Sequence, residues 1–157
     1  MDWDTHRYLE AFFAVPMLGS TLHTVNIRLS PSQIAYTIDH AEDDVILFHA
    51  DFIPLLEEVM LEVKRDARLI VMRDSADIEL PQTTLKIEAI FDELFINTDQ
   101  YFSFPDFGEN TRATTFYTTG TTGNPKAVAY SHRQLVLHTM GILATFGPMS
   151  ADNRLHN

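Results

Sequence analysis

The stretch Thr118–Lys126, Thr-Thr-Gly-Thr-Thr-Gly-Asn-Pro-Lys, gathers residue types suited to holding a polyphosphate. Gly120 and Gly123 permit left-handed backbone and leave no Cβ in front of the amide N–H groups. Successive exposed amides form a concave site for an anion. Thr118, Thr119, Thr121 and Thr122 add hydroxyl donors, and Lys126 adds a mobile point charge. Pro125 stiffens the backbone just ahead of the lysine. The spacing excludes a Walker A loop, which needs Gly-x-x-x-x-Gly-Lys-Ser/Thr leading into a helix. Here Lys126 follows Gly123 with Asn124 and Pro125 between, and the next segment reads as a strand. A Thr-rich hairpin with two turn glycines is the plain alternative.

Other candidate chemistry is sparse. The histidines show no ligand spacing with carboxylates on a shared face, so they read as core or solvent residues and no metal site is expected. His132 lies near the loop and reads as a helix-start residue. Ser131 and His132 are adjacent and point apart on a helix, which rules out a nucleophile pair. The run Glu42-Asp43-Asp44 reads as a solvated helix-to-strand turn. The aromatics between Tyr101 and Phe107 read as packing between sub-regions. No complete catalytic set is visible in the chain.

The elements that must position the loop follow from periodicity and caps. Asp4 or Thr5 can cap a helix over His6–Leu18. An extended piece, Thr21–Asn26, comes next. Ser30-Pro31-Ser32-Gln33 is a capping box with proline at the first helical position, and Ile34, Ala35 and Ile38 should face the core. Asp44–Phe48 and Arg68–Met72 are continuous apolar runs of strand length, the mark of strands buried on both faces of a parallel sheet. Between them, Asp51–Val63 has helical spacing, and a further helix is expected over Thr84–Leu94. The alternation predicts a right-handed βαβ arrangement on a mostly parallel sheet with flanking helices. Ala113–Tyr117 and Ala127–Tyr130 should be strands on either side of the loop. Ser131 and Gln134 form a second capping box that opens a helix to about Phe146. The expected organisation is a βαβ-type sub-region 1–96, a crossing segment 97–110, and a phosphate-loop hairpin plus helix 111–157.

Composition narrows the class. Hydrophobic residues make up 45% and charged residues 21%, the balance of a globular domain. The formal net charge of -11 argues against nucleic acid and anionic membranes as partners. The acidity is uneven: residues 1–110 hold 7 Lys+Arg against 21 Asp+Glu, while residues 111–157 hold 4 against 1. The loop therefore lies in the locally basic part. There is no cysteine, which excludes disulfides and thiolate metal sites. The longest early apolar run, Ala11–Leu18, is far short of the ~20 residues that span a bilayer. A cytoplasmic protein without a transmembrane segment is expected.

The string Tyr117–Lys126 resembles the signature of the adenylate-forming (AMP-binding) superfamily. That superfamily includes acyl-CoA synthetases, peptide-synthetase adenylation domains and luciferases. Asp4–Glu10, Pro16–Gly19, Leu22–Asn26, Ile38–Asp44 and Tyr130–Arg133 resemble fatty-acyl-CoA synthetases in particular, so the likeness covers essentially the whole chain. One departure is Ala127, where that family usually has glycine. The resemblance implies an α/β fold that is part of the large N-terminal domain. It implies an acid–thiol ligase that joins a fatty acid to CoA through acyl-AMP. Thr118, Thr119, Gly120, Thr121, Thr122, Gly123 and Lys126 would hold the ATP phosphates. ATP and CoA are the implied co-substrates. Mg2+ is implied with its ligand outside this chain, as are the acyl pocket, the adenine and ribose contacts and a catalytic lysine. An internal slice of such a domain should show exposed strand edges and half-covered apolar faces. Two alternatives are a non-catalytic phosphate-binding fragment and a relative acting on a non-fatty carboxylate.

Overall fold

The computed structural model describes residues 1–3, 5–75, 77–96, 98, 101–119 and 123–147. Its helices are α1 (His6–Met17), α2 (Pro31–Ala41), α3 (Ile53–Met60) and α4 (His132–Phe146). Its strands are β1 (Leu22–Thr24), β2 (Val45–His49), β3 (Arg68–Met72), β4 (Ile87–Ile90), β5 (Arg112–Thr118) and β6 (Lys126–Ser131). The class is α/β with flanking helices. The strands divide between two three-stranded sheets. One has the order β2-β3-β4 and is wholly parallel. The other has the order β1-β5-β6, with β1 parallel and β6 antiparallel to β5.

Both capping boxes form. Ser30 accepts from the Gln33 amide at 3.3 Å while the Gln33 side chain accepts from the Ser30 amide at 3.3 Å. Pro31 opens α2, as its fixed φ and missing N–H favour. At α1 the N-cap is Thr5, but its side chain makes no capping bond and donates to Asp2 instead. Asp4 lies outside the described residues.

The core lies where α2 and α3 cover β2 and β3. Ile34, Ile38, Phe48, Leu56, Val59 and Val71 are all wholly buried there. The opposite face of β2 and β3 is closed only at its end, where His49 and Met72 are buried. Val45 is exposed and Leu47 is half-buried, so the expectation of strands buried on both faces holds only in part. Leu47 instead faces a cavity of about 620 Å³, whose other walls include Tyr8 and Val15 of α1 and His23 of β1. Arg7 ties α1 to the far end of this sheet, donating to the Arg73 carbonyl at 2.8 Å and pairing with Asp92 at 3.1 Å.

The helix expected over Thr84–Leu94 is not formed. Ile87–Ile90 is a strand, and Phe91–Phe95 is a short 3-10 turn. The i, i+3 spacing of Ile87, Ile90 and Phe91 satisfies a helix locally. The deciding partner is the open edge of β3, whose N–H and C=O groups need a neighbour. The helix expected over Asp51–Val63 is also shorter, because a 3-10 turn at Ala50–Phe52 precedes it and Pro54 sits in its first turn.

The aromatic segment is not packed as expected. Tyr101 is 94% exposed, and Phe102 and Phe104 also stand largely in solvent. Phe102 and Phe104 meet each other edge to face at 5.1 Å, and the Phe107 ring centroid lies 4.6 Å from that of His132. Helix α4 contains no buried residue, and Val136, Met140 and Phe146 are exposed.

Candidate functional site

The loop joins β5 to β6 at the turn end of their hairpin. β5 is β-branched and aromatic, Arg-Ala-Thr-Thr-Phe-Tyr-Thr, and lies centrally between β1 and β6. Its inner positions Ala113, Thr114, Thr115 and Tyr117 are buried. The ladder to β6 runs to the rung Tyr117↔Ala127 and ends at Thr118↔Lys126. The Thr118 hydroxyl donates to the Lys126 carbonyl at 3.5 Å.

This register brings two of the sequence-predicted residues, Thr118 and Lys126, together at one end of the sheet. Thr118, Thr119 and Lys126 are all exposed there. Gly123 has φ +95, a left-handed value that an L side chain rarely adopts. Among the described residues, nothing lies within 4 Å of where a Cβ at Gly123 would stand. Pro125 is buried and anchors the return of the loop into β6. Among the described residues, no carboxylate pairs with the Lys126 ammonium. Gly120, Thr121 and Thr122 lie outside the described residues. The methyl of Ala127 is exposed, so the departure from glycine there meets no crowding on β6.

Chemically, the described part of the loop presents hydroxyl donors, a glycine in a left-handed turn and an unpaired cation. It presents no nucleophile and no general base. Among the described residues no group of three or more His, Asp or Glu side chains is arranged to hold a metal ion.

Helix α4 leads away from the hairpin. Its capping box is complete, with Ser131 accepting from the Gln134 amide at 3.3 Å and donating its own amide to Gln134 Oε1 at 2.8 Å. His132 opens this helix, its amide donating to the Thr111 carbonyl at 3.1 Å.

Sequence reasoning missed the groups gathered behind the loop. The Tyr117 hydroxyl is hydrogen-bonded to His40 Nδ1 at 2.8 Å. The ring of Tyr117 lies 5.1 Å from the ring of His23. His23 Nδ1 is in turn 2.6 Å from Asp43 Oδ2, with both side chains largely buried. Asp43 is therefore not a solvated turn residue, although Asp44 beside it is exposed and pairs with Arg65. Burial, and then the nearby Asp43 charge, push the Tyr117 hydroxyl up to about 12. These partners are 77 and 20 residues apart, so no local motif signals them.

Comparison with known proteins identifies the family. The family model described as AMP-binding enzyme matches residues 1–156. The 3-methylmercaptopropionyl-CoA ligase of Ruegeria pomeroyi is 41% identical over 143 residues, covering 88% of this chain and 25% of that protein. The long-chain-fatty-acid–CoA ligase of Thermus thermophilus is 44% identical over 134 residues, covering 85% of this chain and 23% of that protein. In fold, the chain is similar to an anthranilate CoA ligase crystallised with anthranoyl-AMP. The TM-score is 0.76 at 21% identity, over 89% of this chain and 26% of that one. The chain spans about a quarter of the length of the curated relatives it matches. With the match running across nearly all of its residues, the chain belongs to the AMP-binding enzyme family, among relatives that are CoA ligases.

Proposed function

We propose that this chain supplies the ATP phosphate-binding loop of an AMP-forming acyl-CoA ligase, with Thr118–Gly123 and Lys126 holding the β- and γ-phosphates. The observation that carries this reading is the hairpin register, which sets exposed Thr118 opposite exposed, unpaired Lys126 beside a left-handed Gly123. In the proposed reaction a carboxylate oxygen attacks the α-phosphorus and the bond to pyrophosphate breaks, leaving acyl-AMP. The CoA thiol then attacks the acyl carbonyl, loses its proton and displaces AMP. The loop's part is electrostatic: fixed donors and Lys126 stabilise charge as it develops on the departing pyrophosphate.

A fatty acid is the proposed carboxylate, supported by the similarity to the Thermus ligase. The similarity to the Ruegeria ligase favours a second candidate, a short thioether carboxylate such as 3-methylmercaptopropionate. We place the reaction in the cytoplasm, where ATP and CoA are supplied. Among the described residues no helix is long and apolar enough to cross a membrane.

The test is ATP–pyrophosphate exchange by the complete reading frame that contains these residues, with short, medium and long fatty acids and 3-methylmercaptopropionate. Exchange that depends on one of these acids and falls at least tenfold in Lys126→Ala is expected. If no carboxylate supports exchange, the ligase reading is wrong. The non-catalytic reading predicts that ATP still binds and that Lys126→Ala weakens it.

A further inference from the structure

Tyr117 is the last buried residue of β5 before the loop, and it is held from two sides. Its hydroxyl is hydrogen-bonded to His40, in the last turn of α2. Its ring lies against His23 of β1, and the His40 ring meets it nearly perpendicular at 5.7 Å. The backbone of Tyr117 pairs with Ala127, so the same residue also fixes the rung next to Thr118↔Lys126. A tyrosine here therefore does more than fill space. Its oxygen is the point at which the loop end of β5 is fastened to a helix of the other layer.

A loop that receives a polyphosphate must lose freedom when it does so, and a fastened mouth has less to lose. We propose that Tyr117 and His40 are positioning residues for the loop, their hydrogen bond preorganising the Thr118–Lys126 mouth for the phosphates of ATP. This rests on the reading of the loop given above. The proposed role is exerted through the rung Tyr117↔Ala127 and not by contact with the phosphates. Tyr117 is 8% exposed, which leaves it no route to a ligand in solvent.

The experiment is calorimetric titration with ATP of the complete reading frame that contains these residues, for the wild type and for Lys126→Ala, Tyr117→Phe, His40→Leu, His40→Asn and the double variant Tyr117→Phe/His40→Leu. Tyr117→Phe removes one oxygen and keeps the ring, so circular dichroism should be unchanged. Its affinity is expected to fall about three- to tenfold, the worth of one hydrogen bond. His40→Leu should fall equally, and the double variant should be no weaker than either single one. His40→Asn places a polar atom close to the position of Nδ1 and should recover most of the loss. A merely structural role would not produce that non-additivity together with the asparagine rescue.

If Tyr117→Phe binds as the wild type does while Lys126→Ala is weakened at least tenfold, the positioning role is overturned and the loop reading stands. Independent, additive losses in the double variant overturn it as well. Equal binding by wild type and Lys126→Ala, or no binding by the wild type, removes the loop reading and this inference with it. Should His40→Leu fail to fold, Tyr117→Phe and His40→Asn alone decide the matter.

Discussion

Thr118 and Lys126 face each other on the last rung of the β5–β6 ladder, eight residues apart in sequence and joined by a hydrogen bond from the Thr118 hydroxyl to the Lys126 carbonyl. The rung sets both ends of the loop at once. Gly123, three residues before Lys126, takes a left-handed φ of +95, a value glycine adopts freely.

Gly123 can be tested directly. Among the described residues nothing stands within 4 Å of a Cβ placed there. Gly123→Ala should still cost about 1–2 kcal/mol, because the left-handed conformation itself is strained for an L side chain. Urea denaturation measures the loss. An unchanged midpoint would show that the turn relaxes to negative φ at no cost.

Helix α4 buries no side chain, so its caps matter more than usual. Ser131→Ala should destabilise it by about 1 kcal/mol, and Ser131→Asp should restore most of that. Amide hydrogen exchange should quicken across the first turn of α4 in the alanine variant and leave α2 unaffected. Equal exchange in both variants would show that the capping box contributes nothing.

The core prediction concerns α3. Leu56 is wholly buried against β2 and β3, while Leu61, just past the helix, is 87% exposed. Leu56→Ala should cost about 2–5 kcal/mol, and Leu61→Ala should stay within about 0.5 kcal/mol. Denaturation curves that rank the two variants the other way would contradict the placement of the core.

One carboxylate gives a pH dependence. Glu57 Oε1 accepts from the Thr84 amide at 2.7 Å, the Thr83 hydroxyl at 2.8 Å and the Thr84 hydroxyl at 3.0 Å. The Thr84 amide, then the two hydroxyls, hold the Glu57 carboxyl below its ordinary value of 4.5. A lowered folded-state value means that the unfolded chain takes up the proton first as pH falls. The stabilisation is therefore complete above 4.5 and is lost as pH falls through the lowered value. Thermal unfolding of wild type and Glu57→Gln should differ at pH 7 and converge in acid. A difference that grows with acidity would reverse the sign and refute the clamp.

Both capping boxes and most of the strands were legible in the sequence because each depends on neighbours within a few residues. Ser131 finds Gln134 three positions on, and Lys126 follows Gly123 by three. β3 has the bounds that its apolar run implied, Arg68–Met72. The family likeness was legible for the same reason, since its strings are local. The clearest failure, Thr84–Leu94, lies where two local patterns were equally satisfied and a distant sheet edge chose between them.

The amino-acid sequence by itself determined which chemistry the loop can offer: hydroxyls, glycines and one lysine in a fixed order. The tertiary structure alone decided what stands behind it. Tyr117, His40, His23 and Asp43 carry no spacing that marks them as a group, and they meet because β1, the end of α2 and β5 converge at the same place. Hydrogen bonds act over about 3 Å whatever the separation along the chain. A network spanning 77 residues therefore exists only once the sheet has formed.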